Sequence, residues 1–81
     1  MSKVNGYMVV IMMGREWWTY ARLGRDGLLY RSNANSLPIK MPTVFTMRAE
    51  AEAAIAKTKK QAWARRMRVR FRLIRCAVVL P

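Results

Sequence analysis

The strongest structural signal in the chain lies in residues 7–23, YMVVIMMGREWWTYARL. Residues 7–13 are apolar and partly β-branched, and residues 17–23 are rich in aromatic side chains, and both compositions are typical of β-strands. Between them, Gly14-Arg15 fits a two-residue turn with glycine in first place. The stretch therefore predicts a β-hairpin. A second turn, GRDG at residues 24–27, predicts a third strand over residues 28–32.

Two pairings of the second and third strands are compatible with the second turn. A tight two-residue loop would place Arg22 opposite Arg31, and like charges in directly opposed positions repel. A four-residue loop instead pairs Leu23 with Leu28. We favour the four-residue loop because it avoids the repulsion between the two arginines.

The second half of the chain predicts an irregular loop followed by one helix. Residues 33–42 contain asparagine and proline and are typical of a loop. Thr46 can cap a helix that runs to about Arg66, with acidic residues near its positive end and basic residues towards its negative end. Four small or apolar side chains at helical spacing form a narrow stripe that we expect to face the core: Ala51, Ile55, Thr58 and Ala62.

A final strand begins where the sequence starts to alternate, at residues 67–73, MRVRFRL. The alternation breaks at Leu73-Ile74, where a β-bulge or a switch of burial would let the strand continue. The element order is β-β-β-α-β. We therefore predict an α+β fold in which an antiparallel sheet of three to four strands carries one helix on one face, and a single small basic domain over residues 1–81.

The composition excludes several classes of protein. Apolar residues make up 53% of the chain, which is too many for a disordered basic tail. The chain has no histidine and one cysteine, Cys76, which rules out an internal disulfide, a Cys/His zinc site and imidazole catalysis. The apolar run of residues 7–13 is far shorter than the roughly 20 residues that span a bilayer. A lone thiol fits a cytoplasmic protein, and we expect that location and no contact with membranes.

No group of residues in the sequence predicts an enzyme. The four carboxylates are Glu16, Asp26, Glu50 and Glu52. The first two belong to predicted turns, and residues two apart on a helix do not face each other, so Glu50 and Glu52 make a poor acid–base or metal pair. We therefore expect a protein without catalytic activity, metal or other cofactor.

Positive charge is concentrated near the carboxyl end. The formal net charge is +12, and residues 57–75 hold nine basic residues and no acidic one. An asymmetric field of this kind attracts polyanions. A solvated helix end and edge strand would also carry Lys and Arg, but solubility needs no single sign of charge. If Met67, Val69, Phe71 and Leu73 face the helix, Arg68, Arg70 and Arg72 project from the other side of the sheet.

The predicted turns also assign residues to the two faces of the sheet. One face would hold Met8, Val10, Met12, Trp17, Thr19, Ala21, Leu23, Leu28 and Tyr30. The other would hold Tyr7, Val9, Ile11, Met13, Trp18, Tyr20, Arg22, Leu29 and Arg31. The second set mixes rings with arginine, and bases stack on such rings. Its apolar members favour a homodimer interface at least as strongly, and a one-residue slip in either turn would exchange the faces.

Several features between residues 17 and 51 resemble small accessory proteins of phages and mobile elements, some of which are anti-CRISPR inhibitors. They are the Trp17-Trp18 strand, Asp26-Gly27, and Phe45-Thr46 followed by Glu50-Ala51. The resemblance assigns no functional residue. It implies a second class of function, in which the chain binds a host protein complex, through an acidic surface or in place of nucleic acid, and blocks it.

Taken together, the sequence predicts a non-catalytic module that engages nucleic acid or a nucleoprotein complex through its basic helix end and last strand, chiefly at phosphates. The alternative is the phage-encoded inhibitor of a host complex. The predicted contact residues are Lys57, Lys59, Lys60, Arg65, Arg66, Arg68, Arg70 and Arg72, with Trp18, Tyr20, Arg22 and Arg31 on the hairpin.

Overall fold

The computed structural model describes the backbone of residues 2–15, 17–32 and 41–80 and the side chains of residues 5–15, 18–32 and 41–77. The element bounds are β1 Ser2–Met13, β2 Trp17–Leu23, β3 Leu29–Arg31, α1 Arg48–Lys59, α2 Ala62–Arg66 and β4 Arg70–Leu80. The predicted α+β fold is confirmed, with the addition of the short helix α2. No helix in the described ranges combines the length and the apolar character needed to cross a bilayer.

The four strands form one antiparallel sheet in the order β3-β2-β1-β4. The first and last strands of the chain are therefore neighbours. They pair without interruption from Ser2 opposite Leu80 to Met12 opposite Arg70. This long ladder makes β1 a central strand and leaves β4 and β3 at the two edges.

The helix α1 packs on one face of the sheet, which we call the covered face. Val9 and Ile11 of β1 point towards it and are buried, as are Ala51 and Ala54 on the helix. The remaining members of the buried cluster are Ala21, Leu29 and Phe45. The helix contributes alanine at these contact positions, and this small side chain lets the helix approach the sheet closely.

Residues 43–45 continue the sheet where β2 moves away from β1. Tyr7 and Phe45 exchange two backbone hydrogen bonds of 2.8 Å, and the Thr43 N–H donates to the Ala21 carbonyl at 3.1 Å. The Thr43 hydroxyl accepts a further bond of 2.7 Å from the Leu23 N–H. This bridging segment places Phe45 in the core.

The predicted two-residue turn of the first hairpin is wrong. Met13 pairs with Trp17, so residues 14–16 connect the strands. Gly14 begins this connection with a φ of 68°, a conformation that glycine adopts without strain. The shift by one residue brings Ala21, which is 1% exposed, beneath the helix and turns Trp18 and Tyr20 away from it. The predicted division of the hairpin into two faces is corrected accordingly.

The second hairpin is also shifted by one residue. Leu23 pairs with Leu29 and not with Leu28, so five residues form the loop. The Asp26 carboxylate fixes this loop by accepting the Leu28 N–H at 3.0 Å, the kind of local bond that Asp commonly makes in turns. Tyr30 consequently lies opposite Arg22. Arg31 lies opposite Ala21 on the covered face, which corrects its predicted position beside Trp18.

The predicted helix is shorter and is interrupted. It begins at Arg48 with Met47 as its N-cap and without the side-chain cap predicted for Thr46. It ends at Lys59, and α2 follows, so Ala62 is exposed while Ala51 and Thr58 of the predicted stripe are buried and Ile55 is partly buried. The Thr58 hydroxyl donates to the Ala54 carbonyl at 2.7 Å, a bond that bends helices.

The last strand begins at Arg70, three residues later than predicted, and contains no bulge. Arg68 lies outside the strand with a φ of 52°. The pairing with β1 runs straight through Leu73 and Ile74, so Ile74 joins Arg70 and Arg72 on the face opposite the helix. Unbroken pairing with a long central strand outweighs the local change in the hydrophobic pattern.

Candidate nucleic-acid interface

The face of the sheet opposite α1, which we call the open face, carries alternate residues of β1, β2 and β4. Val69, Phe71 and Leu73 pack against the core, so the predicted projection of Arg70 and Arg72 from the other side is confirmed. Register pairs Arg72 with Val10 and Arg70 with Met12, and it pairs these β1 residues with Tyr20 and Trp18. The open face is thus Met8, Val10, Met12, Trp18, Tyr20, Arg22, Tyr30, Arg70, Arg72 and Ile74.

A concavity of about 280 Å³ lies on this open face, near the turn between β1 and β2. Its floor is apolar and consists of Val10, Met12 and Ile74. Trp18 and Tyr20 form one side. Gly14 and three arginines, Arg15, Arg70 and Arg72, complete the lining.

The two aromatic rings are exposed although they belong to β2, an inner strand of the sheet. Trp18 is 56% exposed and Tyr20 36%. Their ring centres are 5.4 Å apart and their planes stand at 89°, an edge-to-face arrangement that aromatic pairs favour. The pair is therefore ordered by its own contact and by the strand, while the indole remains accessible.

The arginines of β4 differ in how they are held. Arg70 Nη2 donates a hydrogen bond of 2.9 Å to the Gly14 carbonyl, which fixes its guanidinium against the hairpin turn. A guanidinium has five N–H donors, so this bond leaves donors for a ligand. The Arg72 side chain is exposed and makes no hydrogen bond or ion pair with another described residue, while its backbone pairs with Val10 of β1. The concavity therefore has one anchored and one unconstrained cation on the same strand.

A second aromatic cluster lies further along the open face, at the loop between β2 and β3. The Arg22 guanidinium stands over the Tyr30 ring, 5.0 Å from its centre, a cation–π contact. The Arg22 Nε is buried and has no hydrogen-bond partner in the described structure. The Tyr30 hydroxyl donates to the Asp26 carboxylate. Because the ring and the guanidinium already engage each other, this cluster offers less free surface than Trp18.

The hydrogen bond between Tyr30 and Asp26 shifts the titration of both groups. The donated Tyr30 hydroxyl, followed by the Leu28 N–H, lowers the pKa of Asp26. The same bond is the largest cause that raises the pKa of Tyr30. Lys57 approaches from α1 and donates to the Asp26 carbonyl. Asp26 is thus engaged within its own loop at neutral pH.

Carboxylates are absent from the lining of the concavity as far as the structure describes it. Glu50 and Glu52 belong to α1, on the covered side, and Glu52 forms an ion pair with Arg48 at 2.8 Å. Glu16 lies outside the described residues. In the described part of the chain, no group of three or more acidic, Cys or His side chains could hold a metal ion. The arginines of the concavity therefore have no described acid to neutralise them.

The basic residues predicted as one footprint do not form one surface. Lys57, Lys59 and Lys60 lie on or just after α1. The other exposed members, Arg65 and Arg66 on α2 and Arg68 after it, are not among the residues that line the concavity. Of the twelve predicted contact residues, Trp18, Tyr20, Arg22, Arg70 and Arg72 share the open face.

Sequence reasoning missed Arg15 and the apolar floor of the concavity. The sequence pattern places Arg15 only in a turn, although the end of a hairpin lies beside the ends of both strands. The apparent break in the alternation hides Ile74. Alternate residues of a strand share a face, so continuing the alternation from Arg70 and Arg72 would have placed Ile74 on the same face.

No family model matches this chain, and no curated protein or solved structure matches it.

Proposed function

We propose that this chain is a non-catalytic nucleic-acid-binding protein and that the open face is its binding surface. The proposal rests on one observation: Trp18 and Tyr20 stand beside Arg70 and Arg72 around a single concavity on an uncovered sheet face. Aromatic rings stack on bases, and guanidinium groups bind phosphate oxygens with strong, charge-assisted bonds. A nucleic acid presents both kinds of partner at close spacing.

The charge of the chain supports the same ligand class. The net charge of +12 attracts polyanions over a long range. Phosphates that neutralise Lys and Arg also release counterions, which makes the affinity strong at low salt and weaker at high salt. The lysines at the end of α1 add to this attraction in the proposal, while contact is made by the arginines of the open face.

A pair of matched double variants tests whether the arginines of the open face, and not the lysines at the end of α1, make the contact. Arg70→Gln/Arg72→Gln and Lys59→Gln/Lys60→Gln each remove two positive charges, but only the first changes the concavity. Binding of a fluorescent oligonucleotide is followed by anisotropy over a range of salt concentrations, with circular dichroism as the check on folding. We expect the arginine variant to reduce the slope of log K against log salt by about 1.4 to 1.8, since each phosphate contact contributes about 0.7 to 0.9.

The lysine variant should leave that slope nearly unchanged. Equal reductions in both variants would refute the open face as the contact surface. A larger reduction in the lysine variant would instead support the helix end that the sequence predicts.

The protein-directed alternative is separated by a pull-down from lysate treated with nuclease. Loss of the captured material after nuclease supports the proposal, and retention of a protein partner contradicts it. Sedimentation of the free chain tests a homodimer. If the wild-type chain is a dimer that Trp18→Ala dissociates and that excludes oligonucleotide, the open face is a subunit interface and the proposal fails.

A further inference from the structure

We infer that the concavity on the open face takes one unpaired base of a single-stranded nucleic acid, with the phosphates beside that base bound by Arg70 and Arg72. The inference rests on the proposed function and names the form of its ligand. It is carried by the ring geometry, by the size and lining of the concavity, and by the spacing of the arginines.

The rings provide one stacking position and not a continuous platform. The planes of Trp18 and Tyr20 are perpendicular, so parallel bases cannot stack on both of them. A base that lies flat on one ring meets the edge or side of the other. Tyr30 already has the Arg22 guanidinium on its ring. Trp18, the most exposed of these rings, is therefore the stacking residue.

The concavity matches a group of the size of a base. Its volume of about 280 Å³ lies just below the roughly 300–1,000 Å³ of pockets that bury drug-sized ligands, and this suits a smaller group such as a single base. The apolar floor of Val10, Met12 and Ile74 suits the flat face or edge of an aromatic group. A longer stretch of chain would have to lie along the rim, where the arginines are.

Stacking on Trp18 requires a base whose face is free. In a duplex both faces of a base are covered by its neighbours, and a protein reads the edges with an element that enters a groove. The concavity is the opposite shape, because it is a depression in a sheet with Trp18 at its side and an apolar floor. Unpaired bases can turn out of the strand and stack on aromatic side chains.

The arginines are spaced to bind the backbone on one side of this base. Arg70 and Arg72 are two residues apart on one strand, so their Cα atoms are separated by roughly 7 Å along the sheet. The Arg70 guanidinium is held by the Gly14 carbonyl, whereas the Arg72 guanidinium has no bond to another described residue and can adjust. One anchored and one adjustable guanidinium suit a backbone of variable conformation.

The test compares single-stranded and double-stranded ligands of equal length. A thymidine strand of about 12 nucleotides, the same strand in a duplex, and a strand of that length without bases are bound to the wild-type chain at one salt concentration. A uridine RNA strand serves as the RNA counterpart. We expect a single strand of DNA or RNA to bind at least about 10-fold more tightly than the duplex and the abasic strand.

Three variants locate the base. Trp18→Ala should weaken binding of the thymidine strand about 5- to 150-fold and leave binding of the abasic strand unchanged. Trp18→Phe, which keeps a ring, should retain most of the affinity. Trp63→Ala removes the exposed indole of α2 and should have no effect. The abasic comparison uses only the wild-type chain, so it remains decisive if a variant does not fold.

The outcomes separate this inference from the proposed function. Equal binding of the duplex and the single strand, with a salt slope that still depends on Arg70 and Arg72, would refute the unpaired base and leave nucleic-acid binding standing. Equal binding of the thymidine and abasic strands would do the same. Failure to bind any of the strands at low salt would overturn both.

Discussion

Replacing Thr58 by valine should loosen the contact between β3 and the helix, because the Thr58 hydroxyl hydrogen-bonds β3 to α1. Thr58 is completely buried. Its Oγ1 accepts a 3.0 Å hydrogen bond from the Leu29 N–H and donates one of 2.7 Å to the Ala54 carbonyl. Valine has the same shape but can neither accept nor donate. The change therefore removes the two bonds without opening a cavity.

The expected loss of folding stability follows mainly from the Leu29 N–H, which remains without an acceptor. The Leu29 N–H would be buried without an acceptor, which costs about 1–3 kcal/mol. The Ala54 carbonyl loses less, because in an α-helix it also accepts the backbone N–H four residues on. The additional buried methyl group returns about 0.8 kcal/mol. We expect a net loss of about 1–2 kcal/mol, or roughly 4–16 °C in melting temperature for a domain of this size.

Thr58→Ser is the matched control. It keeps the hydroxyl and removes one methyl group, so it should lose about 1 kcal/mol through packing alone. The two variants are distinguished by amide hydrogen exchange. The Leu29 amide should lose its protection in the valine variant, relative to the amide of Val9, and keep it in the serine variant. Unchanged protection of Leu29 in Thr58→Val would refute the reasoning.

Two further predictions concern the loop between β2 and β3. Gly27→Ala should destabilise the chain by about 1–2 kcal/mol, because a φ of 82° strains a residue with a Cβ. The new Cβ would also lie 2.8 Å from the Lys57 amine and displace it from the Asp26 carbonyl that it binds. Gly14→Ala, with a φ of 68° and open space around it, is the control for strain alone, and urea unfolding should show the smaller loss there. Tyr30→Phe should raise the pKa of Asp26 towards its ordinary value, since the phenol is the main cause that lowers it. The bond stabilises the fold above the ordinary pKa of Asp26 and is lost as the pH falls through the lowered folded-state pKa. At the alkaline end the bond is lost as the pH rises through the raised pKa of Tyr30. Its contribution to stability is therefore complete between about pH 4 and pH 10, the ordinary pKa values of the two groups. A carboxyl titration by NMR that is identical in the phenylalanine variant would contradict this account.

The two faces of the last strand, though not its start, were predictable from its own residues because they differ in chemistry. Arginine alternates with apolar side chains, so only one orientation buries Phe71 and Leu73 and exposes Arg70 and Arg72. The first strand gives no such contrast. Val9 and Val10 are adjacent, both are buried, and they point to opposite faces. Hydrophobicity alone could not assign the faces of the hairpin. The first turn is longer by one residue than predicted, which exchanges the two faces of β2 relative to those of β1.

The turns themselves depend on bonds that a hydrophobic pattern does not contain. The second loop is set by the Asp26 carboxylate on the Leu28 N–H. The docking of β3 on the helix uses the Thr58 hydroxyl, which meets a residue far away in the sequence. Phe45 enters the core through a pair of backbone bonds with Tyr7. These contacts join distant segments, and no local period announces them.

The division of labour between the two faces explains why the open face can be functional in so small a chain. The long β1–β4 ladder, the bridging segment at Phe45 and the Thr58 bond fix the fold from the covered side. The concavity on the open face meanwhile has two exposed rings and three arginines around an apolar floor, an arrangement that a free surface does not need. Departures from local consistency of this kind concentrate where a protein binds something. A polyanion with free bases would neutralise the arginines and would cover the exposed rings and the apolar floor.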